Sequence, residues 1–488
     1  MVSAELKSKY EAVIGLEVHV QLLTESKIFA GDSNQFGSDP NRNVSVITLG
    51  HPGTLPRMNK KVMSHAIKMG IACNCEISRY QYFDRKNYFY PDLPKGYQTT
   101  QDNKPVCIGG YVPVKTASGL KKDVQLNRIH MEEDAGKSIH LPDGNEKDTL
   151  IDYNRAGVPL IEIVTEPVLY SSEEAAAFLG EIRKLVRYLE VSDGNMEEGS
   201  MRCDANISVR LKGEHSLGKK VEVKNMNSIR NVSHAINFEI DRQIARLEKG
   251  EMIISETRLF DVSSGTTSGM RTKEELNDYR YFPEPDLSPM KVTEEWLEEI
   301  KSNMPAIPND LVRRFVEEFK LPEYDAYVLT DSREMAEYYL KLGELSGDYK
   351  MSSNWLMGPV KSYLNESGVE MSLFPLQPNK LAEIIKLVKE NLVSNSVAAQ
   401  KLLPYLIENP EIDPADAAKK LNLLQDSNSD SIMPLIQEVL NANEAKVAEY
   451  KNGRKGLLGL FVGEVMKKSR GKADPKLTNQ LIRETLER

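Results

Sequence analysis

Residues 14–22 read IGLEVHVQL, with an apolar side chain at every second position. Laid out as a strand, Ile14, Leu16, Val18 and Val20 point one way, and Glu17, His19 and Gln21 the other. The same alternation recurs in CDANISVRL, where Ala205, Ile207, Val209 and Leu211 oppose Asp204, Asn206, Ser208 and Arg210. In LIEIVTEP, Ile161, Ile163 and Thr165 oppose Glu162, Val164 and Glu166. NRIHMEED sets Ile129, Met131 and Glu133 against His130, Glu132 and Asp134. Periodicity alone leaves open which of the adjacent Glu132 and Glu133 enters a site. Each strand thus predicts one core face and one face of carboxylate, imidazole or amide groups.

Helical spacing interrupts the strands. SSEEAAAFLGEIRKLVRYLE offers Ser171 or Ser172 as a cap, and NVSHAINFEIDRQIARLEKG stops at Gly250. From about residue 292 the pattern is helical almost to the end, as in TEEWLEEIKSNM, NDLVRRFVEEF and SREMAEYYLKL; LLQDSNSDS predicts a polar loop near the C-terminal end. These textures predict an α+β chain with a β-rich first domain over 1–292. An all-helical domain over 293–408 and a small helical tail over 409–488 would follow. A length of 488 residues fits about three domains.

Composition narrows the class. The chain is 40% hydrophobic and 28% charged, values of a globular protein in water. Its N-terminus has no apolar signal region, and no stretch is apolar enough to span a membrane, so a cytoplasmic location is expected. Four cysteines are too few for a disulfide scaffold, and Cys73-x-Cys75 has no second pair at zinc spacing. A net charge of −9 argues against nonspecific coating of nucleic acid, but local basic patches remain.

Short acids on several strands repel one another unless a cation lies among them, so these faces point to a divalent-ion floor. Oxygen ligands with one imidazole suit magnesium, or manganese, better than zinc. HMEEDAGKSIH contains Gly136-Lys137-Ser138 but is not a phosphate loop: Met131 stands where the motif needs glycine, and three acids fill the loop. Lys137 can still reach a phosphate as a point charge. FDRKNYFYPDLPKGYQTTQ and NDYRYFPEPDLSP mix cations with aromatic rings, a composition that packs beneath loops or stacks on bases. In the tail, Lys451, Arg454 and Lys455, then Lys467, Lys468, Arg470 and Lys472, flank a short apolar helix, a pattern that suits an RNA backbone.

IGLEVHVQL, PGTLPRMNKKV, FDRKNYFYPDLPKGYQ, HMEEDAGKS, DYNRAGVPLIEIVTEP, EGSMRCDANISVR, VEVKNMNSIRNV, NDYRYFPEPDL and SNWLMG, in that order, resemble the B subunits of the glutamyl/aspartyl-tRNA amidotransferases. This is the GatB/GatE family of the heterotrimer GatCAB, and the tail resembles its YqeY-type domain. The resemblance implies a β-rich catalytic cradle. There ATP and magnesium serve to phosphorylate the side-chain carboxylate of Glu-tRNA(Gln) or Asp-tRNA(Asn), and ammonia from a glutaminase A subunit then displaces phosphate. It also implies a small C subunit, and neither membrane nor DNA among the partners. By motif, His19, Glu133 and Glu162 correspond to magnesium ligands, with Glu17 and Glu132 as neighbours. Glu133 and Glu162 with Lys86 and Lys95 form the expected catalytic set, the two lysines tied to the ammonia path and reactive centre. Lys137, Asp134, Arg202 and Asp204 are expected nucleotide or aminoacyl contacts, and the basic tail residues expected tRNA contacts. Many members carry a cysteine zinc site where this chain has Ala30, Asp32, Ser45 and Thr48, so no zinc is expected. The alternatives are a non-catalytic tRNA scaffold and a free-standing metal-dependent hydrolase. Converging carboxylates argue against the first, the basic helical tail against the second.

Overall fold

The computed structural model describes residues 2–140, 148–272, 278–425, 429–469 and 472–487. Arg470 and part of the LLQDSNSDS loop, residues 426–428, lie outside them. The chain is α+β and divides into two compact units, Met1–Asn309 and Asp310–Arg488. No described helix is long and apolar enough to cross a membrane.

Among the described residues the first unit carries a thirteen-stranded sheet. Ten strands form its main path: β1 (Tyr10–Gln21), β2 (Asp84–Asn87), β3 (Tyr97–Thr100), β4 (Lys121–Glu133), β5 (Pro159–Thr165), β6 (Met201–Leu211), β7 (Val221–Met226), β8 (Glu256–Asp261), β9 (Thr266–Thr272) and β10 (Phe282–Pro283). Their spatial order is β9-β8-β7-β6-β1-β5-β4-β3-β2-β10. The β7–β8 pair is parallel, and β1 lies antiparallel between β5 and β6.

The alternation in the sequence becomes two faces. Ile14, Leu16, Val18 and Val20 are buried, as are Ile129, Met131, Ile161, Ile163, Ala205 and Ile207. Each such aliphatic side chain contributes roughly 1.5–3 kcal/mol by leaving water. They share one core with helices α1 (Lys60–Ala72), α2 (Ser172–Tyr188) and α3 (Ile229–Glu248). Leu211, at the end of β6, departs from the pattern and is exposed. Ser171 rather than Ser172 caps α2, its Oγ accepting the Glu174 N–H at 3.1 Å. Ser228 caps α3, and Gly250 just past its end has φ +73°.

The first unit extends beyond the expected boundary at 292. Helix α4 (Glu294–Ser302), capped by Thr293, buries Leu297 and Ile300 in the core of the sheet domain. The second unit is helical. Its helix Pro414–Lys420, expected in the tail, stays with the middle helices: Lys380 Nζ donates to Ile412 O at 3.2 Å, and the Gln425 N–H to Leu392 O at 2.7 Å. A separate small core, including Ile432, Ile436, Val439, Phe461, Val465 and Ile482, organises the last helices.

Candidate active site

The polar face of the sheet is the floor of a cavity of about 720 Å³. Strand register sets its centre. Arg202, His19, Glu162 and His130 stand abreast on β6, β1, β5 and β4, and Glu132 follows His130 two residues along. His19 Nε2 is 3.4 Å from Glu162 Oε2 and 3.9 Å from Glu132 Oε1. His130 Nε2 is 3.4 Å from Glu162 and 3.8 Å from Glu132. Burial alone would lower the His130 pKa, but the two carboxylates outweigh it and push the imidazole up to about 9. Burial would raise Glu162; His130 and His19 instead hold it well below the usual carboxylate range.

One ligand atom each from His19, Glu132 and Glu162 lie within 4.8 Å of one another. Two carboxylates and one imidazole at such separations fit a hard divalent cation with bonds of about 2.1 Å. Periodicity leaves the choice between Glu132 and Glu133 open, and the family resemblance implies Glu133 in this position. The pleat places Glu132 there instead, because it shares the face of His130, whereas Glu133 shares the face of Met131.

Glu133 belongs to a second, smaller cavity of about 260 Å³ on the opposite face of the same strands. Along β2 and β3, Lys86, Gln98 and Thr100 line the larger cavity, and Arg85, Tyr97 and Thr99 the smaller. Glu133 Oε1 pairs there with Lys95 Nζ and accepts the Thr99 N–H at 2.8 Å. Lys95 also donates to Thr99 Oγ1 at 3.2 Å. The two expected lysines are thus separated: Lys86 is in the main cavity, over the Tyr279 ring at 4.8 Å, and Lys95 is behind it.

Asp134 is a buried anchor. It accepts from Arg202 at 2.7 Å and Gln21 at 2.8 Å, with Arg155 Nε at 3.8 Å. These arginines overcome the upward pull of burial and lower its pKa. Arg202, held by Asp134, and Arg155, which donates its Nε to Ala135 O at 2.9 Å, present guanidinium groups to the cavity wall, whereas Asp134 itself is engaged. Asp204 is held by Lys224 at 2.5 Å and lies with Glu17 and Glu222 in a second acidic group, which the lysine partly neutralises. Burial comes first in raising the Glu17 pKa, followed by Glu162.

Lys137 is exposed on the hairpin strand Lys137–His140 and lines neither cavity. The turn before it is packed rather than open to phosphate: the Gly136 N–H goes to Asp92 O at 2.8 Å, and Arg155 takes Gly136 O at 2.6 Å. A Cβ at Gly136 would lie 2.9 Å from Asp92 O. In the loop where no zinc is expected, Asp32 accepts from Thr48 Oγ1 and from the Ser45 N–H at 3.0 Å, which closes the loop by hydrogen bonds.

His130, Arg155, Lys224 and Tyr279 were not singled out from sequence. For His130 and Lys224 the signal was present, since both occupy polar positions of alternating strands; Arg155 and Tyr279 come from loops without periodicity. In the second unit, Lys451, Arg454, Lys455, Lys467 and Lys468 are exposed. Arg454 pairs with Glu449 at 2.7 Å, and Lys468 with Glu438 at 2.5 Å.

Comparison with known proteins identifies the family. A family model described as the GatB/GatE catalytic domain matches residues 12–298, more than half of the chain, and one described as a GatB domain matches 337–486. The chain is 48% identical over 474 residues to the B subunit of the aspartyl/glutamyl-tRNA(Asn/Gln) amidotransferase from Thermodesulfovibrio yellowstonii, covering 97% of this chain and 98% of the relative. Its counterpart from Caldanaerobacter subterraneus subsp. tengcongensis is 48% identical over 480 residues, covering 98% and 99%. That of Synechococcus elongatus is 46% identical over 493, covering 99% of each. With the catalytic-domain match covering residues 12–298 and near-half identity running over 97% or more of the chain, the chain belongs to the GatB/GatE family.

Proposed function

We propose that this chain is the catalytic B-type subunit of a tRNA-dependent amidotransferase, a ligase forming carbon–nitrogen bonds with glutamine as amide donor. It acts on Glu-tRNA(Gln), Asp-tRNA(Asn) or both, in the cytoplasm, with an amidase-type A subunit and a small C subunit. The observation that carries the reading is the convergence of His19, Glu132 and Glu162 on the cavity floor of a family member.

A carboxylate is a poor electrophile and must become an acyl phosphate before ammonia can displace an oxygen. His19, Glu132 and Glu162 would hold Mg2+, for which Mn2+ is an acceptable substitute, and the bound ion supplies charge neutralisation for the phosphates of ATP. Arg202, held by Asp134, and Arg155, held by the Ala135 and Gly136 carbonyls, offer their remaining cationic N–H donors to phosphate oxygens. Lys86 faces the floor and is placed to stabilise charge building on the activated carboxyl group. Lys95 and Glu133, behind the sheet, line the approach of ammonia. Their pairing gives the path one ammonium and one carboxylate, able to exchange a proton with a passing amine. The exposed lysines of the tail, with Arg454, are placed to contact tRNA phosphates.

The test uses the reconstituted three-subunit complex with mischarged tRNA, magnesium and γ-labelled ATP, without an amide donor. Formation of ADP that requires mischarged tRNA and vanishes in Glu132→Gln supports the kinase step on this floor. ATP consumption unaffected by Glu132→Gln, or none at all, leaves the chain a tRNA-binding scaffold.

A further inference from the structure

Two aromatic segments meet at one wall of the larger cavity, where Lys86 Nζ lies over the Tyr279 ring at 4.8 Å. Asn87, which ends β2, donates its N–H to Tyr279 O at 2.9 Å and its side-chain amide to Arg280 O at 2.8 Å. Just beyond, Phe282 pairs with Arg85 in register. This stitching lays residues 278–282 along β2 and brings Tyr279 and Tyr281 beside Tyr88, all three lining the cavity. The rings form a row. Tyr88 and Tyr279 have centroids 6.0 Å apart at 71°, and Tyr279 and Tyr281 5.9 Å apart at 66°.

Packing alone would bury such a row, yet its outer end, Tyr281, is 39% exposed. Arg280 between the tyrosines has φ +45°, a left-handed conformation that side chains with a Cβ avoid. The backbone thus takes an unfavourable turn that leaves aromatic surface facing a polar cavity.

The substrate in the functional reading above, on which this inference rests, carries its reacting carboxylate on an amino acid esterified to the ribose of a 3′-terminal adenosine. Only the length of one amino acid separates that carboxylate from the ribose. With the carboxylate on the acidic floor, the adenine must lie against a wall of the same cavity. We propose that Tyr279, flanked by Tyr88 and Tyr281, is the stacking platform for the 3′-terminal adenine of the mischarged tRNA. A ring face accepts any base. The inclined neighbouring rings add edge contacts, as in other aromatic pairs. A platform of this kind suits a terminus common to both tRNA substrates.

ATP also brings an adenine, so the experiment separates the two. In the reconstituted complex, KM for mischarged tRNA and KM for ATP are measured for wild type, Tyr279→Ala, Tyr279→Phe and Tyr281→Ala. In parallel, uncharged tRNA with 2-aminopurine as its terminal base reports stacking through quenching, without turnover. Tyr279→Ala is expected to raise KM for the tRNA about ten-fold or more, leave KM for ATP unchanged and abolish quenching, while Tyr279→Phe keeps all three near wild type. A rise confined to KM for ATP overturns the proposal and assigns the wall to the nucleotide. Unchanged constants with quenching intact overturn it in favour of packing. Quenching on wild type without tRNA-dependent ADP formation would sink the functional reading while leaving the platform standing.

Discussion

Substituting Glu132 and Glu133 singly by Gln probes the site where two adjacent carboxylates face opposite ways. The ligand atoms of His19, Glu132 and Glu162 lie within 4.8 Å of one another. A cation central to that triangle is no farther than about 2.8 Å from each, where one unit charge attracts a divalent ion by about 3 kcal/mol even at the dielectric of bulk water. Glu132→Gln, which keeps the shape and removes the charge, should therefore weaken ion binding about 100-fold or more. Glu133 faces Lys95 in the other cavity. Its Gln variant should keep ion affinity within about three-fold but lose about 3–5 kcal/mol of stability, because Lys95 is left buried without its partner charge. Electron paramagnetic resonance of Mn2+ titrated into the complex reads the affinity, and denaturant unfolding reads the stability. If Glu133→Gln loses the ion and Glu132→Gln retains it, the assignment of faces is wrong.

His65 is buried on α1, its ring Nε2 3.0 Å from Leu23 O, and burial lowers its pKa to about 4. The unfolded chain takes up this proton near pH 6.5. The associated stability is fully present above that value and is lost as pH falls toward 4, by up to about 3 kcal/mol. Urea unfolding at a series of pH values should show this slope in wild type and a flatter one in His65→Gln; identical slopes would exclude His65 as the source. Asp134→Asn should free Arg202 and raise KM for ATP more than KM for tRNA in steady-state assays, and equal effects would count against an arginine site for phosphate. Replacing Lys451, Lys455 and Lys467 together by Glu should weaken tRNA binding and reduce the slope of log affinity against log salt by about 2 to 3. An unchanged slope in filter-binding titrations would remove the tail from the interface.

Alternation by itself determined most of the cradle. Ile14, Leu16, Val18 and Val20 could face only the core, so Glu17, His19 and Gln21 had to face away, and the same logic placed Glu162, Asp204 and His130 on polar faces. Ser171 or Ser172 marked one helix start and Gly250 one helix end, and the shift to helical spacing after residue 292 marked the change of architecture. The mechanism came from the family motifs, since no periodicity specifies an acyl phosphate. Other features depended on partners distant in sequence. Helix α4 joined the first unit because Leu297 and Ile300 found the sheet core. Asp134 became an anchor because β1, β6 and the loop carrying Arg155 delivered Gln21, Arg202 and Arg155 to it. The choice between Glu132 and Glu133 had the same origin. A two-residue period separates adjacent side chains into opposite faces but does not say which face meets His19 and Glu162; only the pairing of β4 with β5, and of β5 with β1, supplies that neighbourhood.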